Sequence, residues 1–296
     1  MITIRQLQYF EILSRHLHFG RASEECAVSQ PALSMQIKEL ETELDITLVE
    51  RGKSGITLTR EGEEILERTR GILRSVQDLK YCVKQDDAPL SGTLILGVIP
   101  TIAPYLLPKA LPKLKELYPD LSLKLRESQT SRLVEELKNG RIDAVLLALP
   151  VDCDELVSME LFTDSFLLVA GKDVKATDPY QVMQEQDLLL LEEGHCLRDQ
   201  VLKFCREKKP EALSSFGATS LTTITQMVAN GFGTTLLPEI ACEVELNSAS
   251  KLTSLRFPEP QPQRRIGLMW RKSSPRSKDY EELGLLLRSI AGDIVG

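Results

Sequence analysis

No apolar run in the 296-residue chain approaches the roughly 18 residues that a membrane-spanning helix needs, so no membrane partner is expected. The opening, MITIRQLQYFEILSRHLHFG, has no cationic segment leading into an apolar stretch. No secretory leader is therefore expected, and the expected location is the cytoplasm. The net charge of −7 lacks the basic excess that would by itself suggest a nucleic-acid partner. Cysteine is sparse, with six residues in the chain. In a reducing compartment these rest as thiols, and a disulfide among them would be transient or sensory. His195, Cys196 and Cys205 lack the short-spaced pairing of a structural zinc site, so no metal and no cofactor are expected. There is no internal repeat or low-complexity tract.

What is present is an ordinary globular composition, 42% hydrophobic and 27% charged, long enough for two or more domains with real cores. In IRQLQYFEILSRH, Leu7, Phe10 and Leu13 recur at helical spacing. GRASEECAV reads as a short helix with Ala22 and Cys26 four apart. SQPALSMQIKELETEL opens with Ser29 as an N-cap and Pro31 in the first turn. Its Leu33, Ile37, Leu40 and Leu44 make one inward face. ITLVERGKSGITLTREG then carries two short β-prone runs around Gly52 to Gly55, a hairpin or wing.

From Glu61 to about Gln85 the pattern is one long helix. Its stripe of Ile65, Ile72, Val76, Leu79 and Val83 is too long and narrow for a small domain's own core, so it predicts a dimer seam. The acidic DDAPLSG breaks it as a linker. Thereafter strand-like runs (GTLILGV, LSLKLRE, DAVLLAL, SFLLVAG, DLLLLEE, FGTTLLP, RRIGLMW) alternate with helical ones. This order predicts an α/β fold with largely parallel sheets and a ligand site at the carboxyl ends of strands.

EEGHCLRDQVLKFCREKK, residues 192 to 209, places Cys196 and Cys205 nine apart in a charged, helical stretch. Gly194 breaks the preceding strand, so Cys196 falls in a first helical turn. There the helix dipole and backbone N–H groups favour a thiolate, and Arg198, with His195 if protonated, adds positive charge. On the residues alone, a reactive thiolate and a small core residue at a helix start stand equally. Thr101 and Thr130 read as ordinary helix-start residues, or as polar groups where two helix N-termini converge on one pocket. Arg265 is a weaker candidate for the same region. Cys26, Cys82, Cys153 and Cys242 have no partner motif. Cys205 reads as part of a buried face beside Val201 and Phe204.

The segment LQYFEILSRHLHFGRASEECAVSQPALSMQIKELETELDITLVER resembles the winged helix-turn-helix of LysR-type transcriptional regulators. The match lies in the aromatic-rich first helix, F-x-R-A-[AS], V-S-Q-P-A-L-S-x-Q-I and L-E-x-E-L…L-x-E-R. The resemblance implies an all-α winged helix-turn-helix domain over 1–60 and a dimerising linker helix and hinge over 61–88. An α/β effector domain over 89–296 would follow, in two periplasmic-binding-protein-like lobes (about 89–164 with 266–296, and 165–265). GHCLRDQ…FC, GVIPTIAPYLLP, ESQT and ATSLTTITQMVANGFGTTLLP resemble the hydrogen-peroxide-sensing branch of that family.

That branch implies oxidation of Cys196 by peroxide and a disulfide with Cys205. Thr101 and Thr130 would hold peroxide, with His195, Arg198, Asp199 and Arg265 around them. Nine helical residues span about 13 Å, whereas a disulfide needs Cα atoms within about 7 Å, so such a bond requires the helix to be rebuilt. The implied partners are double-stranded DNA with an inverted-repeat operator, RNA polymerase, a homodimer or homotetramer, and thioredoxin or glutaredoxin as reductant. Peroxide consumed once per switch makes a sensor rather than an enzyme. The rival readings are a LysR-type regulator answering a small metabolite and a thiol peroxidase.

Residues 1 to 60 hold seven Lys and Arg against eight Asp and Glu, a net of −1. Phosphate contacts would therefore come from a few placed groups, Arg5, Arg51, Lys53 and helix N-termini. Ser29, Gln30, Pro31, Ser34, Met35 and Lys38 form the expected outward face of the recognition helix.

Overall fold

Thr3 and Gln6 cap each other at the first helix, α1 (Ile4–His16). The Gln6 N–H donates to Thr3 Oγ1 (3.2 Å) and the Thr3 N–H to Gln6 Oε1 (2.9 Å), a reciprocal pairing that satisfies first-turn donors. The computed structural model describes residues 1–52, 55–82, 89–175, 177–208, 213–248 and 251–295. They fall into two units, Met1–Asp86 and Asp87–Gly296.

In the first unit α2 (Phe19–Glu25) and α3 (Gln30–Leu44) follow α1. An antiparallel hairpin of β1 (Val49–Gly52) and β2 (Gly55–Leu58) comes next, and α4 (Arg60–Cys82) closes the unit. Ser29 accepts from the Ala32 N–H (3.4 Å) and Pro31 lies in the first turn of α3. Leu33, Ile37 and Leu40 are buried against Leu7, Phe10 and Leu13, as their spacing predicts. The stripe on α4 divides. Ile65, Leu66 and Leu73 join this core, whereas Ile72 (45%) and Leu79 (65%) stay exposed and Val76 is half-buried. Val83 and the expected helix end near Gln85 lie outside the described residues, as does Lys53.

The second unit contains β3 (Gly92–Val98), α5 (Ala103–Leu117), β4 (Leu121–Glu127), α6 (Thr130–Lys138), β5 (Ala144–Leu149) and β6 (Leu156–Gly171). Next come α7 (Pro179–Glu185), β7 (Leu188–Leu191), α8 (Cys196–Lys208), β8 (Leu213–Ala218), α9 (Leu221–Ala229) and β9 (Thr235–Pro238). The chain ends with α10 (Glu239–Ser248), β10 (Leu252–Arg256), β11 (Gln263–Arg271) and α11 (Ser277–Val295). A seven-stranded sheet runs β10-β6-β11-β5-β3-β4, with β9 also on β6. The long β6 joins the two lobes. Its first part, Leu156 to Ser165, pairs with β11, and Phe166 to Gly171 pairs with β9 and β10.

The expectation of largely parallel sheets is corrected. Among the described residues the parallel strand pairs are β3 with β4, β3 with β5, and β7 with β8, whereas β11 inserts between β5 and β6 antiparallel to both. Alternation of strands and helices along a chain does not encode which late strand inserts between two early ones. The parallel part is the part that matters for the site. β3 and β4 end side by side, Val98 opposite Glu127, so the turns after them lie together.

Gly62 in α4 is packed so closely that a Cβ would stand 2.2 Å from the Leu48 carbonyl oxygen. Gly62→Ala should destabilise the N-terminal unit by roughly 1–3 kcal/mol through overpacking against backbone. Thermal unfolding followed by circular dichroism checks this, and an unchanged transition would contradict the packing of α4 on β1.

Candidate peroxide site and nucleic-acid interface

The buried core of the site is an ion pair. Arg264 and Asp164 are cross-strand partners in β11 and β6. Their side chains are fully buried, with Arg264 Nε and Nη2 donating to Asp164 Oδ2 (2.9 and 2.8 Å). The remaining carboxylate oxygen accepts from the Ile240 N–H at the start of α10 (3.1 Å). Arg264 Nη1 donates to Thr101 Oγ1 (2.8 Å) and Nη2 to the Thr101 carbonyl (3.2 Å). Thr101 is therefore held in the β3–α5 turn by a guanidinium that reaches it from another strand. Arg265, the arginine singled out from sequence, is exposed and pairs with Glu160 (3.3 Å). Along β11 residues alternate between faces, and the inward position is Arg264.

Thr130 is the first residue of α6, in the neighbouring turn after β4. Its hydroxyl oxygen is buried and has no hydrogen-bond partner among the described residues. The preceding Gln129 does not cap its own helix. Its Nε2 instead donates to the Glu193 carbonyl (3.5 Å), and its amide lies over Gly194. Gly194 has φ +90, and a Cβ there would stand 2.7 Å from Gln129 Oε1. Glycine is favoured at this junction by the left-handed backbone conformation, while the Gln129 side chain could shift to admit a Cβ. The start of α6 and the turn leading into α8 thus meet, two residues ahead of Cys196.

Cys196 is half-buried at the first position of α8, and Cys205 is 2% exposed on the same helix. Leu197, Val201 and Cys205, four apart, form the buried stripe of α8. Phe204 packs edge-on against Phe257, which meets Tyr180 (ring centroids 5.3 and 5.2 Å). Burial pushes the Cys205 thiol up to about 11, so it is a thiol at neutral pH. His195 is buried, and that burial lowers its pKa against the weaker raising effect of Glu192. The direction of this shift favours the neutral imidazole, so the positive charge that depended on its protonation is disfavoured. Arg198 Nη1 is anchored on the Leu191 carbonyl at the end of β7 (2.9 Å). Asp199 is exposed in the first turn of α8, where the helix dipole favours an anion. Gln200, one turn on from Cys196, was not anticipated. Its Oε1 is buried with no hydrogen-bond partner among the described residues. The i, i+4 spacing from the thiol was the signal that could have found it.

In the first unit Ser29, Gln30, Pro31, Met35 and Lys38 are exposed along α3, and Ser34 is half-buried. Arg5 is exposed, donates from Nε to the Tyr9 hydroxyl (2.7 Å) and lies 5.4 Å from the centre of that ring. Arg51 lies in β1, in the wing; Lys53 is outside the described residues.

A short helix, a turn and a capped helix with an exposed polar face, followed by a hairpin, define a winged helix-turn-helix DNA-binding regulator. The two-lobed α/β unit is its effector module. Residues 4–63 match the family model "Bacterial regulatory helix-turn-helix protein, lysR family", and residues 87–290 match "LysR substrate binding domain". The chain belongs to the LysR family of DNA-binding transcriptional regulators, which are not enzymes. It is 39% identical over 292 residues to the DNA-binding transcriptional dual regulator OxyR of Escherichia coli K12, covering 97% of this chain and 95% of that one. Full-length OxyR of Pseudomonas aeruginosa, a cysteine mutant, is similar at a TM-score of 0.80 and 34% identity, over 97% of this chain and 95% of that one. A cysteine-to-serine mutant of Corynebacterium glutamicum OxyR, solved with H2O2 bound, is similar at a TM-score of 0.68 and 33% identity, over 99% and 94%. Among the described residues no helix is long and apolar enough to cross a membrane.

The raised pKa of Cys205 has a linked effect on stability. Folding favours the protonated thiol, so this contribution is fully present below the ordinary value of 9.0 and is lost as pH rises towards about 11. Wild type and Cys205→Ala should differ in melting temperature by a constant amount below about pH 9, and the gap should narrow above it. Thermal melts of both across pH 8 to 11 check this; a gap that widens with pH contradicts the burial of the thiol.

Proposed function

We propose that this protein is a hydrogen-peroxide-responsive LysR regulator, with Cys196 as the reactive thiol and Cys205 as its resolving partner. The observation that carries the reading is the junction of two helix starts. A half-buried thiol opens α8 beside the start of α6, where the Thr130 hydroxyl is buried without a partner among the described residues. Convergent N–H groups at such termini stabilise a thiolate. Hydroxyl and amide groups suit a small polar oxidant better than an extended metabolite. Similarity to an OxyR solved with H2O2 bound supports the same choice.

The chemistry balances without a cofactor. The Cys196 thiolate attacks one peroxide oxygen, the O–O bond breaks, and hydroxide leaves and takes a proton to become water. The sulfenic acid so formed is attacked by Cys205 once that thiol is deprotonated. An S–S bond forms, the S–O bond breaks, and a second water leaves. One peroxide is reduced and two thiols are oxidised. Within an intact α8 the two positions lie about 13 Å apart, so the helix unwinds and its apolar face repacks, biasing a two-state element. Thioredoxin or glutaredoxin supplies the dithiol that restores the reduced form. The exposed Ile72 and Leu79 on α4 suit a seam between two copies. A cytoplasmic homodimer or homotetramer would then read an inverted-repeat operator and engage RNA polymerase.

Brief low-dose peroxide followed by peptide mass mapping should find Cys196 joined to Cys205. Hydrogen exchange should show protection lost over 196 to 205. Cys196→Ser should abolish the response and keep basal DNA binding, and Thr130→Val should slow oxidation. Pairing of Cys196 with another cysteine, or a disulfide without loss of protection, would sink the mechanism. In a separate measurement, gel shifts at several salt concentrations should show Lys38→Ala weakening operator binding. The near-neutral head should give a shallower salt slope than strongly basic binders; unchanged affinity removes α3 from the interface.

A further inference from the structure

Glu245, in α10, is a buried carboxylate, 2% exposed, that belongs to none of the groups assigned above. Its Oε1 accepts from the Tyr105 hydroxyl (2.7 Å) and from Thr222 Oγ1 (2.9 Å). Thr225 Oγ1 lies 3.1 Å from Oε2. Thr222 and Thr225 lie in α9, beside α10 in one lobe. Tyr105 comes from the other lobe, in the first turn of α5, four residues after Thr101. A charged acceptor with hydroxyl donors on both sides makes strong, short bonds in a water-poor setting.

The position of Glu245 gives this cluster its meaning. The turn that carries Thr101 is already tied to α10 once, through Arg264, Asp164 and the Ile240 N–H. Tyr105 and Glu245 tie the same stretch to the same helix a second time, five residues or about 7.5 Å further along its axis. One attachment leaves the two elements free to rotate about it; two fix both distance and angle. Lys109 also pairs with Glu243 (2.8 Å), but both are exposed and such a pair holds little.

We propose that Glu245 is a positioning residue for the Cys196 reaction. By clasping the first turn of α5 to α10 it fixes the turn that carries Thr101, the residue that the family resemblance assigns to holding peroxide. The inference rests on the peroxide-sensing reading. It predicts an effect on delivery of the oxidant and none on the intrinsic reactivity of the thiol.

The test uses the full-length reduced protein and the variants Glu245→Ala, Glu245→Gln and Tyr105→Phe, the last two nearly preserving volume. Stopped-flow rates of Cys196 oxidation by H2O2 should fall roughly ten- to a hundred-fold in Glu245→Ala, the scale expected for a small misplacement of reacting groups. Tyr105→Phe should show a smaller fall of the same kind. Glu245→Gln, which keeps an acceptor oxygen, should recover most of the rate. Alkylation of Cys196 by iodoacetamide across pH should keep its wild-type midpoint and plateau in all three. Wild-type peroxide rates in Glu245→Ala and Tyr105→Phe overturn the proposal. So does a parallel fall in alkylation, which would mark a general disturbance of the fold. If Glu245→Ala fails to fold, the rates of Tyr105→Phe and Glu245→Gln decide alone. A wild-type Cys196 that peroxide does not oxidise overturns the peroxide reading itself, a different result from variants that match an oxidisable wild type.

Discussion

An ion pair with no access to water, Arg264 with Asp164, is the constraint on which the effector unit depends. Desolvating two charges is costly, and that cost is offset by further hydrogen bonds to both groups. The carboxylate takes the guanidinium on one oxygen and the α10 backbone on the other, while the guanidinium also holds both polar atoms of Thr101. Asp164 lies near the point where β6 passes from pairing with β11 to pairing with β9. A single pair therefore links the sheet, the turn after β3 and the start of α10.

Around that fixed point the two cysteines of α8 have unlike surroundings although they share a helix. Cys196 stands at the helix start, half-buried, at the junction with α6. Cys205 completes the Leu197 and Val201 stripe and is a core residue by every physical measure. The same nine-residue separation sets them apart in packing. Polar groups of the site come from turns at the ends of β3, β4 and β7, where open α/β sheets gather their ligands. The buried residues behind those turns come from strands and helices much later in the chain.

The legible parts of the sequence were those with local causes. The 4-3-4 spacing of Leu33, Ile37, Leu40 and Leu44, with the Ser29 cap and Pro31, gave α3 and its outward face. Gly194 followed by HCLRD gave the start of α8. What escaped was decided by long-range packing. Strands β8 and β10 and helices α7 and α10 were not recognised, and only the second half of β6 was. Choosing Arg265 over Arg264 was a one-residue matter of strand phase, which reverses every side chain and which two adjacent arginines leave open. Whether His195 carries a charge was left open by the sequence, because burial, a tertiary property, lowers its pKa. Glu245 drew no reading from the sequence, because its setting depends on Tyr105, 140 residues away.

The burial of Cys205 also has a meaning in time. In the proposed reaction the first oxidation needs only an encounter between peroxide and Cys196, while the second waits for a spontaneous local opening of α8, a process with its own free energy and rate. Two steps with different clocks make a low-pass filter. A transient below the opening time leaves a sulfenic acid that a reductant can erase, and a sustained exposure is written into the fold. The depth at which Leu197, Val201 and Cys205 are buried thus sets the duration of oxidant exposure that the regulator records.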